Sequence, residues 1–554
     1  MADAGRSRWP LFGAAVLIAA ASVLIFARLG HYPLWDDEAT TAMFGRNLLR
    51  TGDTSALVGH NLIAYRGGRE LENLKMRYLP PLQSVAVAGG ALFFGESNFG
   101  ARVVFAAAGV LTFVVIAIWL MRADAGALIW IGMGIALLCN VSLLLFTRQC
   151  RYYGLTIFFS VWMAYLWCHR DGTKWNQIAF ILSSLALLAS NYLCFAALCV
   201  AILSDLLTFG RKAPRWTAGQ WAWTLGTVAL LGGLIVWVFN PLGKGIVHEE
   251  DVSFVLKRVK LLWWNVRDLN ACEFGVGILL AIAPVVALVY RDRALGRAWT
   301  AAAVYVLSIS VLSPQPITVT HVADVRYLIA LIPLFAFIGV RVIVLACRGR
   351  GWAAIPIMLL CFGGNLAHGT WIERVALASG ARPIGVRCTI AEYIGELIEP
   401  QRSAFGETAD WINEHVSERA NVWVLPGHML YPLMLYAPHP LYGYQLVAPV
   451  EEQFKDLPDL DVHVIGQVPP DYVVCFGPQA LNTFRNNEPD LASMGARYDR
   501  AASIEVGWMA TTRPELFWHE FRTVTEFNRD FEGVYVFRRK GAPRVTSPDR
   551  RDPG

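Results

Sequence analysis

Apolar residues run along this chain in long blocks, and most blocks approach the length that a hydrocarbon layer demands. A helix crosses a bilayer with about 20 apolar residues, and somewhat shorter spans are tolerated. That rule predicts about eleven transmembrane helices, near 10–28, 101–121, 127–146, 153–168, 176–190, 192–209, 218–239, 274–290, 298–313, 327–346 and 352–369. The fifth and sixth are one apolar stretch broken at Ser190-Asn191-Tyr192, where an Asn suits a tight hairpin. The first block follows Arg6 and Arg8 as a signal peptide would, yet no convincing small-residue cleavage site follows it, so it reads as a retained span.

The segments between the blocks orient them, because Lys and Arg resist translocation. Arg6/Arg8, Arg122, Arg170/Lys174, Arg211/Lys212/Arg215, Arg291/Arg293/Arg297 and Arg348/Arg350 collect on one alternating face, which is then cytoplasmic. The opposite face receives an outer loop 29–100, an outer loop 240–273, a loop 314–326 and everything after about residue 370. The expected setting is a bacterial cytoplasmic (inner) membrane, with the N-terminus inside and the C-terminal part periplasmic or extracellular.

Within the second outer loop, "DVSFVLKRVKLLWWNVRDLN" places Val252, Val255, Leu256, Val259, Leu262, Trp263 and Val266 at helical spacing. Lys257, Arg258, Lys260 and Arg267 occupy the other face, a pattern that fits a helix lying in the headgroup layer or one packed on another protein element. Beyond residue 370 the pattern turns polar and mixed. "FGETADWINEHV" reads as an amphipathic helix and "NVWVLPG", "DYVVCFG" and "GVYVFRRK" as short strands. The expected architecture is therefore an α-helical polytopic membrane protein. It has a transmembrane unit at 1–370 whose outer loop 29–100 holds interfacial helices, a small C-terminal α/β domain at 371–540 outside the membrane, and a disordered tail at 541–554.

Composition agrees: 55% of the 554 residues are hydrophobic and only 16% charged, too apolar for a soluble chain of this length. The net charge of +5 is scattered in short clusters and forms no basic stripe, so nucleic acid is not an expected partner. Most of the ten cysteines lie inside apolar blocks, where they behave as small hydrophobes. Only Cys272, Cys388 and Cys475 read as external, with a Cys388–Cys475 bridge as one pairing, and no zinc or CxxC spacing is present.

The chemistry-bearing residues gather just after the first block, in "WDDEATTAMFGRNLLRTGD". Asp36, Asp37 and Glu38 stand where acids cap a helix beginning near Ala39, each stabilising it by about 1 kcal/mol or less. The same acids are placed to act as a base, and Asp37 and Glu38 have the oxygen chemistry to hold a divalent metal ion, the one cofactor the sequence offers. Glu249, Glu250 and Asp251 form a second acidic cluster, more simply read as solvated or capping.

This segment resembles the first outer loop of the GT-C superfamily of membrane glycosyltransferases, in the branch holding the protein O-mannosyltransferases and the lipid A aminoarabinose transferase. Asp37-Glu38 matches that family's Asp-Glu pair after the first span. "YLPPLQSVAVAGGALFFGESNFGARV" is similar to the Pro-Pro segment and the Arg-bearing entry to the second span, and "RQCRYYGL", "SNYLCF" and "DVRYLIALIPLFAFIG" resemble later landmarks. The resemblance covers about residues 10 to 345, and it is the ordered set that makes it specific. At Tyr78-Leu79 the chain departs from the aminoarabinose-transferase form, which has Glu-Lys there, and that puts a metal-linked phosphate site in doubt.

The resemblance implies an inverting transfer of a sugar, hexosyl or pentosyl, from a polyprenyl-phosphate donor to a hydroxyl of a lipid, glycan or protein acceptor on the outer face of the membrane. Asp37 is then the expected base, with Glu38 beside it for acceptor or ion binding and Asp36 as a cap. Arg148, Arg151 and Arg326 are the expected phosphate ligands, since guanidinium suits bidentate phosphate contacts, although an Arg at a span end also snorkels into headgroups without further role. Tyr327, Tyr78 and His321 are the remaining substrate-site candidates, with Lys244, His248 and Asp324 weaker ones. The competing reading is a transporter or flippase of lipid-linked sugars. Transporters place polar groups near mid-span, whereas here the ionisable residues collect at the outer ends; a noncatalytic assembly role is disfavoured by the first-loop acids.

Overall fold

The computed structural model describes residues 9–209, 216–241, 253–313, 325–368, 385–486, 497–507 and 531–542. All eleven predicted apolar stretches are helical: α1 (Trp9–Phe26), α4 (Asn98–Arg122), α5 with α6 (Ala127–Leu138 and Val141–Arg148), α7 (Tyr153–Cys168), α8 (Lys174–Ser190), α9 (Tyr192–Phe209), α10 (Ala218–Phe239), α12 (Gly277–Val289), α13 (Arg293–Leu312), α14 (Ile332–Ala346) and α15 (Gly351–Phe362). Among the described residues six are long and apolar enough to cross a membrane: α1, α4, α9, α10, α13 and the run Val325–Ala346 that opens as 3-10 helix before α14; the bent pair α5 and α6 passes the same test together. The chain is a membrane protein.

The block 127–146 is interrupted. It is not one helix but α5 and α6, bent by 61°. Asn140 interrupts it: its Oδ1 accepts the Leu143 N–H at 2.7 Å and its Nδ2 donates to the Glu273 carbonyl at 2.5 Å. A short polar side chain offers the backbone a cap that a continuing helix would not need. Asn191 acts alike between α8 and α9, where it is extended and its Oδ1 accepts the Cys194 N–H at 3.0 Å.

Two further helices build the first outer loop, α2 (Asp36–Thr51) and α3 (Leu82–Phe94), joined by the hairpins β1–β2 (Leu57–Val58, Asn61–Leu62) and β3–β4 (Leu71–Glu72, Lys75–Met76). The turn from α3 into α4 is tight: a Cβ on Gly90 would stand 2.1 Å from the Gly100 carbonyl oxygen, so only glycine lets the two backbones approach. In the second outer loop, α11 (Phe254–Ala271) turns Val255, Leu256, Val259, Trp263 and Val266 outward, exposed, and buries Lys257, Leu261, Trp264 and Asp268. The predicted apolar stripe is thus the face directed away from the protein.

The C-terminal part carries a five-stranded sheet in the order β6-β5-β7-β9-β8, where β5 is Asn421–Leu425, β6 Leu441–Tyr442, β7 Tyr472–Phe476, β8 Tyr498–Ile504 and β9 Val534–Arg539. β5 runs parallel to β6 and β7, while β9 is antiparallel to β7 and β8. The three expected strands are β5, β7 and β9; β6 and β8 escaped the sequence reading because two residues, or a polar run such as Tyr498–Ile504, carry little alternation. The expected external cysteines need correction. Cys388 and Cys475 are both free, so the expected bridge is absent; Cys475 is buried in β7 and Cys272 is buried beyond the end of α11.

This C-terminal unit is seated on the first outer loop. Asn61, fully buried, donates from Nδ2 to the Pro438 and Pro440 carbonyls (3.0 and 2.9 Å) and accepts the Tyr442 N–H at 2.8 Å. Gln445 bonds Ala64 N and Leu62 O, and Gln453 bonds Leu74 N and Leu71 O. Tyr436 accepts the Leu34 N–H at 2.7 Å and donates to Asn98 at 2.6 Å.

Candidate functional site

The helix α2 begins at Asp36, three residues before the expected start, and its N-cap residue Trp35 gives no side-chain cap. All three acids therefore lie in the first turn, where the helix dipole favours negative charge. Successive residues of a helix are rotated by about 100°, so the three carboxylates point three ways.

Asp36 faces the C-terminal unit. Its Oδ1 accepts the Asp37 N–H at 2.7 Å, and its Oδ2 stands 3.9 Å from Nε2 of His428. Burial pushes the nearby Tyr431 hydroxyl well above its usual range, with Tyr65, Glu70 and Asp36 adding to the effect.

Glu38 points into the core and is fully buried. Arg102 grips it with two donors, Nε to Oε1 at 2.8 Å and Nη2 to Oε2 at 2.5 Å, and the Cys150 N–H adds a third at 2.6 Å. Arg102 also donates to the carbonyls of Leu29, Tyr32 and Pro33. A buried pair holds only when the remaining donors and lone pairs are also satisfied, and this one is.

Asp37 lies between the other two and keeps part of its surface open, with its side chain 27% exposed. Arg151 Nη2 stands 3.3 Å from Oδ1, and Arg326 Nη1 stands 3.3 Å from Oδ2. Arg151 comes from the non-helical link between α6 and α7, and Arg326 from the 3-10 turn Val325–Leu331. Arg151 also donates to Thr41 Oγ1 at 3.2 Å, one helical turn past Asp37, while its buried Nε has no partner among the described residues. Burial opposes the charge on Arg151, but Asp37 outweighs it and holds the guanidinium above its ordinary pKa. The side chains of Tyr152 and Tyr327 lie beside these two guanidiniums, with ring centroids at 5.6 and 5.9 Å. One carboxylate faces two cations, with a donor to spare: an arrangement able to take an anion and, in exchange, release the carboxylate.

The structure separates the other candidates from this cluster. Arg148 donates to the carbonyls of Leu24 and Ala27 (3.1 and 2.7 Å) and to the Tyr393 hydroxyl, so its donors close the end of α1. Tyr78 lines a groove of about 620 Å³ with Arg69, Glu70, Arg77, Glu451 and Gln453, whose lining includes neither Asp37 nor the two arginines. His321, Lys244, His248, Glu249, Glu250, Asp251 and Asp324 lie outside the described residues. Among the described residues no three His, Cys, Asp or Glu side chains come together to hold a metal ion, and Glu38, already gripped on both oxygens, offers none. Sequence reading missed Arg102, Thr41 and His428. A signal existed for Thr41, four residues after Asp37 on a helix, but not for the pairing of Arg102 or the reach of His428.

No protein-family model matches this chain, and no curated protein does. Among solved structures, ArnT from Cupriavidus metallidurans bound to undecaprenyl phosphate superposes with a TM-score of 0.50 at 15% identity, over 96% of this chain and 98% of that one. The same protein in the apo state gives 0.49 at 15% identity, over 96% and 97%. A mycobacterial arabinofuranosyltransferase, AftD, gives 0.44 at 16% identity, over 97% of this chain and 42% of that one. The first of these shows the fold, which this chain shares with ArnT along nearly the whole length of both chains.

Proposed function

We propose that the protein is an inverting glycosyltransferase that moves a sugar from a polyprenyl-phosphate donor to a hydroxyl of a lipid, glycan or protein acceptor. The observation that carries the reading is Asp37 held between Arg151 and Arg326, on a fold shared with ArnT, a protein whose structure holds undecaprenyl phosphate. The proposed setting is the outer face of a bacterial cytoplasmic membrane, with the N-terminus inside and the C-terminal unit outside.

The reaction runs on few parts. The donor phosphate takes up the two guanidiniums, bidentate contacts being what Arg provides best, and Asp37 loses its cationic partners. The acceptor hydroxyl attacks the anomeric carbon from the face opposite the phosphate and gives its proton to Asp37. The new C–O bond forms as the bond to phosphate breaks, and the leaving polyprenyl phosphate departs as an anion stabilised by Arg151 and Arg326. Glu38 acts by position: through Arg102 and the Cys150 N–H it fixes the link that carries Arg151.

The test is transfer from radiolabelled polyprenyl-phosphate sugar by the purified protein and its Asp37→Asn variant. Transfer by the wild type and its loss in the variant support the assignment; undiminished transfer by Asp37→Asn sinks the base role. Passage of intact lipid-linked sugar across liposomes without transfer replaces the reading with a flippase.

A further inference from the structure

At the end of the helix bundle away from Asp37 lies a second cavity, of about 610 Å³. Protein interiors pack nearly as densely as organic crystals, with few voids larger than a water molecule. This space is partly open to its surroundings and lined mainly by apolar side chains of α4, α5, α7, α9, α13 and α14, so an apolar chain can enter it. It extends along α14 from Pro333 to Arg341, eight residues or about 12 Å at 1.5 Å per residue.

The charged lining is confined to one end. Arg297 spends Nε and Nη2 on Asp205, each at 2.8 Å, and Arg341 spends Nε and Nη2 on Asp292. In both guanidiniums Nη1 has no partner among the described residues, and the same holds for Nε2 of His169, whose Nδ1 faces the Tyr165 carbonyl at 3.1 Å. These donors stand on the side of the membrane where the Lys and Arg of the chain collect, with Arg122, Arg170, Arg293, Arg348 and Arg350 in the same set of loops and helix ends, and Asp124, Asp171, Asp205 and Asp292 as the acids among them. Basic pockets between membrane helices on the cytoplasmic side recognise anionic headgroups.

We propose that this cavity is a binding site for one anionic diacyl phospholipid, with an acyl chain in the apolar space and the headgroup phosphate on Arg297, Arg341 and His169. The site is distinct from the Asp37 cluster and holds whether or not the transferase reading does. It also touches the segment that carries Arg326. Tyr305, Ala330 and Leu331 line the inner end, and the Tyr305 hydroxyl contacts the Tyr327 carbonyl at 3.4 Å.

The experiment is native mass spectrometry of the delipidated full chain titrated with phosphatidylglycerol, phosphatidylcholine or a C55 polyprenyl monophosphate. One phosphatidylglycerol is expected to bind about tenfold more tightly than phosphatidylcholine. Ala164→Trp, which fills the cavity, abolishes that binding. The double changes Arg297→Gln with Asp205→Asn and Arg341→Gln with Asp292→Asn, which leave no lone carboxylate, erase the preference for the anionic lipid. The proposal is overturned if Ala164→Trp, monodisperse and melting as the wild type does, retains phosphatidylglycerol. It is equally overturned if the two phospholipids bind alike, or if the polyprenyl phosphate displaces phosphatidylglycerol. Should Ala164→Trp fail to fold, Ala301→Leu narrows the same space and is expected to weaken binding by about tenfold; unchanged binding there counts against the proposal.

Discussion

Asp37 and Glu38 are adjacent residues of one helical turn, and each meets arginine, yet the two sites have opposite character. Glu38 is fully buried in a closed set of contacts at 2.5–2.8 Å, with both oxygens filled. Asp37 is 27% exposed and sits 3.3 Å from each of two guanidiniums, at longer range than any contact of Glu38. A carboxylate whose partners match it in number holds a structure together; one whose partners exceed it is prepared for another anion.

Breaking each pair separates these roles. Removing one partner of a buried ion pair costs about 3–5 kcal/mol, so Glu38→Ala and Arg102→Ala are expected to abolish stable protein in detergent, read as loss of the monodisperse peak. Asp37→Asn is expected to lower transfer by about 10²–10⁴-fold with an unchanged melting temperature; a large fall in melting temperature instead makes Asp37 a second Glu38. Arg326→Ala is expected to lower kcat/KM for the polyprenyl-phosphate donor by about 10²–10³-fold, as loss of one preorganised donor does, while KM for the acceptor stays put.

The smallest effect belongs to a third carboxylate on the same loop. Asp53 is paired with Lys75 at 2.7 Å and Arg77 at 2.8 Å. Its burial opposes ionisation, but Arg77, Lys75 and the Thr54 N–H prevail and hold its carboxyl at about 2 against an ordinary 3.8. Because the folded value lies below the unfolded one, its contribution is complete above about pH 3.8 and vanishes as pH falls towards 2. Asp53→Asn is therefore expected to flatten loop stability in that window, measured by limited proteolysis against pH, and to leave it more nearly unchanged under acid than the wild type.

Much of this was legible in the chain. The apolar blocks forecast the helices, and the acids after the first block, with Arg151 and Arg326, forecast the components of the cluster. What the sequence withheld was their division of labour. Whether an acid points to solvent or core depends on a rotation of about 100° per residue and on partners far away: Arg102 is 64 residues from Glu38, and Arg326 is 289 from Asp37. Arg148 looked equivalent to Arg151, and only the end of α1 beneath it made it a structural donor. Asn140 divides the block 127–146 into two helices because a capping side chain competes locally with helix continuation, which hydropathy does not weigh.

The seam between the first outer loop and the C-terminal unit also imposes a schedule. His60 meets the Pro440 carbonyl and Asn61 meets Pro438 and Pro440 across about 380 intervening residues. At a synthesis rate of about 5–20 residues per second, the loop bearing the three acids waits roughly 20–75 seconds for the partners that complete it. Arg151 and Arg326 are made earlier in that interval, so the cluster around Asp37 has its partners before Asn61 has its own.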